Sequence, residues 1–204
     1  MRPPREGPSK GSGAAKRPVK RPVRVDAAWV EARVGAYLST RTCPRGHLRR
    51  LIVQKIDRAL ADAEDRSGRE SLLTALDEVL DRAERAGLID DAAWAASRTR
   101  RLVERGVSPG VIGGRLASKG VKADVREQAM VDTEAEVGDP MQVAALAYAQ
   151  RRHLGPWRTR PGPGGAAALA AQYTSDLGKM ARAGFPYAVA RDVLRSDPGD
   201  DGAP

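Results

Sequence analysis

Three helix stops and two helix starts fall within residues 87–121, and together they constrain the fold of this chain more than any other feature. The string opens Gly87-Leu-Ile-Asp-Asp-Ala-Ala-Trp-Ala95, continues Arg105-Gly-Val-Ser-Pro-Gly-Val-Ile112 and closes Leu116-Ala-Ser-Lys-Gly-Val121. Gly87 stands where a left-handed C-cap belongs. Asp90 is a good N-cap, and Asp91 adds a negative charge to the first turn, where the helix dipole favours it. Gly106 ends that helix. Ser108 is expected to cap the next, with Pro109 at the first helical position, where its missing N–H costs nothing. Gly120 ends it in turn. A chain punctuated so densely makes short helices joined by tight turns.

The helical period continues on both sides. Val30, Val34, Tyr37 and Leu38 form one stripe; Leu48, Leu51, Ile52, Ile56 and Leu60 form a second; Leu72, Leu73, Leu76, Val79, Leu80 and Ala83 form a third. These are the apolar faces of amphipathic helices, and no stretch alternates as a strand would. The second and third stripes predict a helix pair at 44–65 and 69–86, interrupted at Ser67-Gly68. Shifting the sequence by sixty-four positions sets Leu116 on Met180, Gly120 on Gly184, Val121 on Phe185, Val125 on Val189 and Ala129 on Val193. Such self-similarity implies repeated helical units that bury their faces on one another.

The charge is unevenly placed. Arg2, Arg5, Lys10, Lys16, Arg17, Lys20, Arg21 and Arg24 stand against Glu6 alone in residues 1–25, which puts +7 of the chain's net +9 in that segment. With little to bury, this Pro/Gly/Lys/Arg stretch is expected to be disordered. Lys16, Arg17, Lys20, Arg21 and Arg24 are candidate contacts to DNA phosphate, since each neutralised phosphate releases counterions. The other reading is a solubilising extension.

One cysteine, Cys43, excludes an internal disulfide and a cysteine-based zinc site, and two histidines leave little for a metal centre. No cofactor is expected. No apolar run reaches the roughly twenty residues of a membrane span, so the chain reads as a cytoplasmic protein that engages no membrane. Without a long heptad seam it reads as a monomer. Ser108-Pro-Gly-Val-Ile-Gly-Gly114 is glycine-rich but lacks the Gly-Lys-Ser/Thr ending of a phosphate loop. Cys43 near His47 has nothing to orient it as a nucleophile. Trp29 and Trp94, at helical core positions, are expected to be buried, and Trp157 to be the more exposed.

The ordered series of motifs resembles the RecX family of recombinase regulators. The matching residues are Gly87-Leu-Ile-Asp-Asp-x-x-Trp-Ala95, the Arg-Gly-x-x-Pro-x-x-Ile turn at 105–112, Leu116-x-x-Lys-Gly-Val121, Ala149-x-Arg-Arg-x-Leu-Gly-Pro156 and Ala183-Gly-Phe-x-Tyr-x-x-Ala-x-x-Val193. The resemblance covers roughly residues 26–195. It implies an all-α fold of three tandem three-helix repeats in an elongated array, and a non-enzymatic protein that binds the groove of the RecA–DNA filament. There it would block filament growth and lower recombinase ATPase, strand exchange and coprotease activity. The corresponding division is a basic tail at 1–25, units at 26–88, 89–132 and 133–196, and a polar tail at 197–204. Arg98 and Thr99 depart from the family, which often has bulkier apolar residues there.

Basic residues on successive units are the candidate filament or DNA contacts. Arg98, Arg101 and Arg105 share a helix face. Arg115, Lys119 and Lys122 follow at the next helix end, and Arg151 and Arg152 at another. They could meet phosphate or acidic patches on recombinase, or be ordinary solvated charges paired with acids such as Glu104 or Asp124. The alternative function is a general DNA-binding, nucleoid-associated helical protein working through its basic tail; a scaffold for another protein is the third.

Overall fold

The computed structural model describes residues 24–61, 68–159 and 164–196, and every described element is helical. The tail positions Lys16, Arg17, Lys20 and Arg21, the expected tail disorder, the end of the 44–65 helix and most of the Arg160–Gly165 loop lie outside the described residues. The helices are α1 Ala27–Leu38, α2 Arg45–Ala61, α3 Arg69–Arg85, α4 Asp91–Glu104, α5 Pro109–Ser118, α6 Ala123–Val137, α7 Pro140–Arg152, α8 Ala166–Arg182 and α9 Tyr187–Arg195, with a 3-10 turn at Gly155–Trp157 before α8.

Local chemistry starts and stops these helices. Asp26, Asp90 and Asp139 each accept a hydrogen bond from a first-turn amide, those of Trp29, Ala93 and Met141 at 3.0, 2.8 and 2.8 Å. At the other ends one motif recurs. Gly87, Gly106, Gly120, Gly184 and the non-glycine His153 all have positive φ. After each, the next residue donates its amide back five residues: Leu88 to Ala83, Val107 to Leu102, Val121 to Leu116, Leu154 to Ala149 and Phe185 to Met180, at 2.9–3.2 Å. This is the Schellman closure, which satisfies carbonyls the helix end would leave bare. Ser108 differs from its expected role. Its hydroxyl makes no cap bond and instead donates to the Ala183 carbonyl at 2.8 Å, because that carbonyl, at the end of α8, lies against it.

The buried apolar side chains fall into two clusters. One joins the stripes of α1, α2 and α3 with Cys43 and Ile89, its deepest members being Val30, Leu48, Ile52, Ile56, Leu76 and Leu80. The other draws on α4 to α9 and centres on Ala95, Val103, Ile112, Ala144, Ala149 and Met180. The tryptophans depart from expectation. Trp29, Trp94 and Trp157 are all half-buried against these clusters, so position in a helical stripe did not separate them. A large indole at the margin of a stripe covers the core without being enclosed by it.

The clusters are joined at the N-terminus of α2. The Asp91 carboxylate accepts the Arg45 amide at 2.8 Å, and Arg50 donates to the Ser118 carbonyl. Gly46 and Gly120 meet backbone to backbone: a Cβ on Gly46 would stand 2.7 Å from the Gly120 carbonyl oxygen. Sixty-four residues on, the end of α8 meets the start of α5, here through side chains. Gly184, the counterpart of Gly120, stands against Ser108 and Val111, so that a Cβ there would lie 2.6 Å from the Ser108 Oγ.

Candidate functional site

The exposed basic residues divide by whether an acid neutralises them. Arg49 pairs with Asp77 at 2.7 Å, Arg69 with Asp57 at 2.8 Å, Arg82 with Glu31 at 3.4 Å and Arg100 with Glu136 at 2.6 Å. Arg45 pairs with Asp81 and Glu84. These ion pairs tie helix to helix. By contrast, Arg98, Arg101, Arg105, Arg115, Lys119, Lys122, Arg151 and Arg152 are all exposed, and none forms an ion pair among the described residues. Glu104 and Asp124, the acids beside them in sequence, do not pair with them.

The structure brings some of these cations together. An Arg151 guanidinium N–H donates to the Arg105 carbonyl, which joins the C-terminal ends of α4 and α7. Beneath that join, a Cβ on Gly106 would lie 2.5 Å from the Tyr148 amide nitrogen, so the two helices touch through backbone. Arg101 is drawn back along its own helix, donating to the Ser97 carbonyl at 3.1 Å and hydroxyl at 2.9 Å. It edges a small hollow of about 250 Å³ with Thr42, Cys43, Asp90 and Trp94. Lys119 and Lys122 flank the Gly120 stop, which meets Gly46 at the N-terminus of α2. There, burial and then the charges of Lys119 and Arg50 push the half-buried His47 imidazole below its ordinary value. Burial pushes the Cys43 thiol up, away from the thiolate a nucleophile needs. Arg24, the one tail candidate among the described residues, pairs with Asp26 at 3.5 Å.

Three cations were overlooked in the sequence: Arg50 and Arg182 likewise lack an acid among the described residues, and Lys179 pairs with Asp176 at 2.9 Å. Arg50 reaches the end of α5, and Lys179 and Arg182 line an open cleft with Arg152. A signal for Lys179 existed: the sixty-four-residue shift places it on Arg115. The hydroxyl of Thr99 on α4 is fully buried with no partner among the described residues. Among those residues no group of three or more His, Cys, Asp or Glu side chains is placed to hold a metal, and no helix is long and apolar enough to cross a membrane.

Comparison with known proteins decides the family. Regulatory protein RecX of Myxococcus xanthus (strain DK1622) is 30% identical over 194 residues, a match that spans 95% of this chain and 97% of the relative. The chain belongs to the RecX family. A crystal structure of regulatory protein RecX shares the fold, with a TM-score of 0.54 at 22% identity over 83% of this chain and 72% of that one. No protein-family model matches. As in that structure the framework is helical, and the unpaired cations lie along α4, at the end of α5 and the start of α6, and at the end of α7.

Proposed function

We propose that this chain regulates the RecA recombinase by binding the RecA–DNA filament. It does so as a monomeric, non-enzymatic cytoplasmic protein. Its main effect is to inhibit filament growth, ATP hydrolysis and strand exchange in homologous recombination, DNA repair and the SOS response. The observation that carries this reading is the set of unpaired cations on successive docked units of a RecX-family chain. Charges left without local partners keep their field for an external one, and a filament of nucleic acid and protein presents phosphate and carboxylate repeatedly along its length. A rigid body lying across neighbouring protomers impedes subunit addition and the motion that ATP turnover requires.

Single-stranded-DNA-dependent ATP hydrolysis by RecA, titrated with this chain, tests the reading. The full chain and a chain beginning at Asp26 both inhibit. Neutralising Arg98, Arg105 and Arg151 together weakens inhibition about tenfold or more, at roughly 1 kcal/mol or less per exposed charge with the largest effect at low salt. Neutralising the paired Arg100 leaves it within about twofold, as a charge already partnered contributes little outside. Failure of the full chain to bind or slow the filament overturns the reading. Inhibition only by the full chain, relieved by excess DNA, replaces it with competition for DNA through the basic tail.

A further inference from the structure

The C-terminal halves of α7 and α8 enclose an open cleft of about 610 Å³ lined by Tyr148, Arg152, Leu154, Lys179, Arg182 and Ala183. Three of the six are cations and none is a carboxylate. The size falls within the roughly 300–1,000 Å³ of sites that hold small organic ligands, ample for one nucleotide. Its walls are built rather than incidental. The Tyr148 ring packs 5.4 Å from Phe185, and its hydroxyl donates to the Lys179 carbonyl at 3.5 Å, holding α7 to α8. The Arg152 guanidinium lies 5.9 Å over the same ring, which favours one orientation of an exposed side chain.

Two of the three charges in the cleft are not quenched. Lys179 bonds Asp176 at 2.9 Å, but that carboxylate is 1% exposed and is shared with Arg158 and the Gly155 amide, so it anchors the lysine without occupying the cleft. Arg152 and Arg182 have no acidic partner among the described residues. Cations gathered in one concavity repel each other and are relieved by an anion. A phosphodiester suits them, because guanidinium groups fork onto phosphate oxygens while an ammonium serves as a point charge. Arg152, exposed and steadied over an aromatic ring, also offers a planar face on which an unpaired base can stack.

We propose that this cleft binds the backbone phosphate of single-stranded nucleic acid, with Arg182 on the phosphate and Arg152 beside the adjoining base. The proposal rests on the reading of Arg151 and Arg152 as a contact edge and narrows it: at this edge the partner is nucleic acid.

The test is fluorescence anisotropy of a labelled oligodeoxythymidylate with the full chain across a salt series, comparing the parent with Arg152→Gln/Arg182→Gln. The basic tail is present in both, so the difference isolates the cleft. Affinity at low salt is expected to fall about tenfold, and the slope of log affinity against log salt to shrink by about 0.7 for each phosphate that the cleft no longer neutralises. Arg182→Gln alone gives about half the change, which keeps the test decisive if the double variant melts early. Affinity and slope unchanged within twofold overturn the proposal. So does loss of binding to RecA protein with oligonucleotide binding intact, since the cleft would then read acidic groups on a protein. RecA ATP hydrolysis, run in parallel, separates the two claims: variants that lose oligonucleotide binding while no form of the chain inhibits RecA leave the cleft standing and the filament reading fallen. Intact oligonucleotide binding with inhibition preserved does the reverse.

Discussion

Asp91, the first residue of α4, caps a helix forty-six positions away: its carboxylate accepts the backbone amide of Arg45, the first residue of α2, at 2.8 Å. One aspartate therefore serves two helix N-termini, its own through the dipole and its neighbour's through a hydrogen bond. The bond crosses the seam between the two buried clusters, at the point where Gly46 meets Gly120.

That position sets a pH dependence. Burial raises the Asp91 carboxyl above its ordinary value, and the Arg45 amide offsets this in part. A raised folded-state value means that the folded chain takes up the proton more readily than the unfolded chain. Measured against Asp91→Asn, which keeps an oxygen to accept the Arg45 amide, the parent therefore gains relative stability as pH falls through the folded value towards the unfolded one near ~3.9. It loses that advantage as pH rises. Asp91→Ala, which removes the acceptor, costs about 1 kcal/mol at neutral pH. Urea denaturation of the three proteins from pH 3.5 to 7 measures all of this; a parent-minus-Asn difference that grows with pH contradicts the assignment.

Glycine substitutions in α2 and α5 are expected to have opposite signs. Alanine is the better helix former by about 1 kcal/mol, and Gly114, with open space around its Cα, realises that gain: Gly114→Ala stabilises by about 0.5–1 kcal/mol. At Gly46 the new Cβ would stand 2.7 Å from the Gly120 carbonyl oxygen and 3.0 Å from its Cα, both backbone atoms that cannot swing aside. Gly46→Ala destabilises by about 1–3 kcal/mol despite its propensity. Thermal melts of the two variants decide the matter, and equal shifts of the same sign would mean that the seam yields.

This contrast shows what was legible in the sequence. The stops at Gly87, Gly106, Gly120 and Gly184 and the Asp90 cap are local events, each written within about five residues, and they stand as read. The sixty-four-residue shift was legible because α5 and α8 end in the same local closure, at Gly120 and Gly184. The partners of Ser108 and Asp91 were not, for both bond across units to atoms exposed by another helix's end, and nothing adjacent in sequence specifies that end. Trp29 and Trp94 were misread as buried because a stripe gives direction but not depth. For the basic surface, spacing grouped Arg98, Arg101 and Arg105, yet which cations lack an acid depends on interhelical pairs such as Arg100 with Glu136, set by how α4 crosses α6.

Thr99 carries a removable cost. Its side chain is fully buried on α4 and its hydroxyl has no partner among the described residues. An unsatisfied buried hydroxyl costs about 1–3 kcal/mol, whereas an apolar group of the same shape carries no such penalty. Thr99→Val is therefore expected to stabilise by about 1 kcal/mol, raising the melting temperature without altering RecA inhibition. A lower melting temperature would show that the hydroxyl has a partner, such as a trapped water.

Asp176 is the opposite case, a buried charge with every partner in place. Arg158, Lys179 and the Gly155 amide converge on its carboxylate, and the last bond, at 3.1 Å, fixes the start of the 3-10 turn. Burial alone would raise its carboxyl; the Gly155 amide, then Lys179 and Arg158, outweigh that and hold it below the usual carboxylate range. With the folded value depressed, the contribution is fully present above the unfolded value near ~3.9 and is lost as pH falls through the folded value. Removing one partner of a fully buried pair costs roughly 3–5 kcal/mol. Arg158 and Lys179 are partly exposed and recover hydration, so Asp176→Asn is expected to cost about 2–3 kcal/mol. The deficit should narrow below about pH 4, where the unfolded parent takes up a proton at this carboxyl that the folded parent still resists. Chemical denaturation of parent and variant at pH 7 and pH 3 measures it, and a deficit independent of pH would mean that the carboxylate's shape matters there and its charge does not.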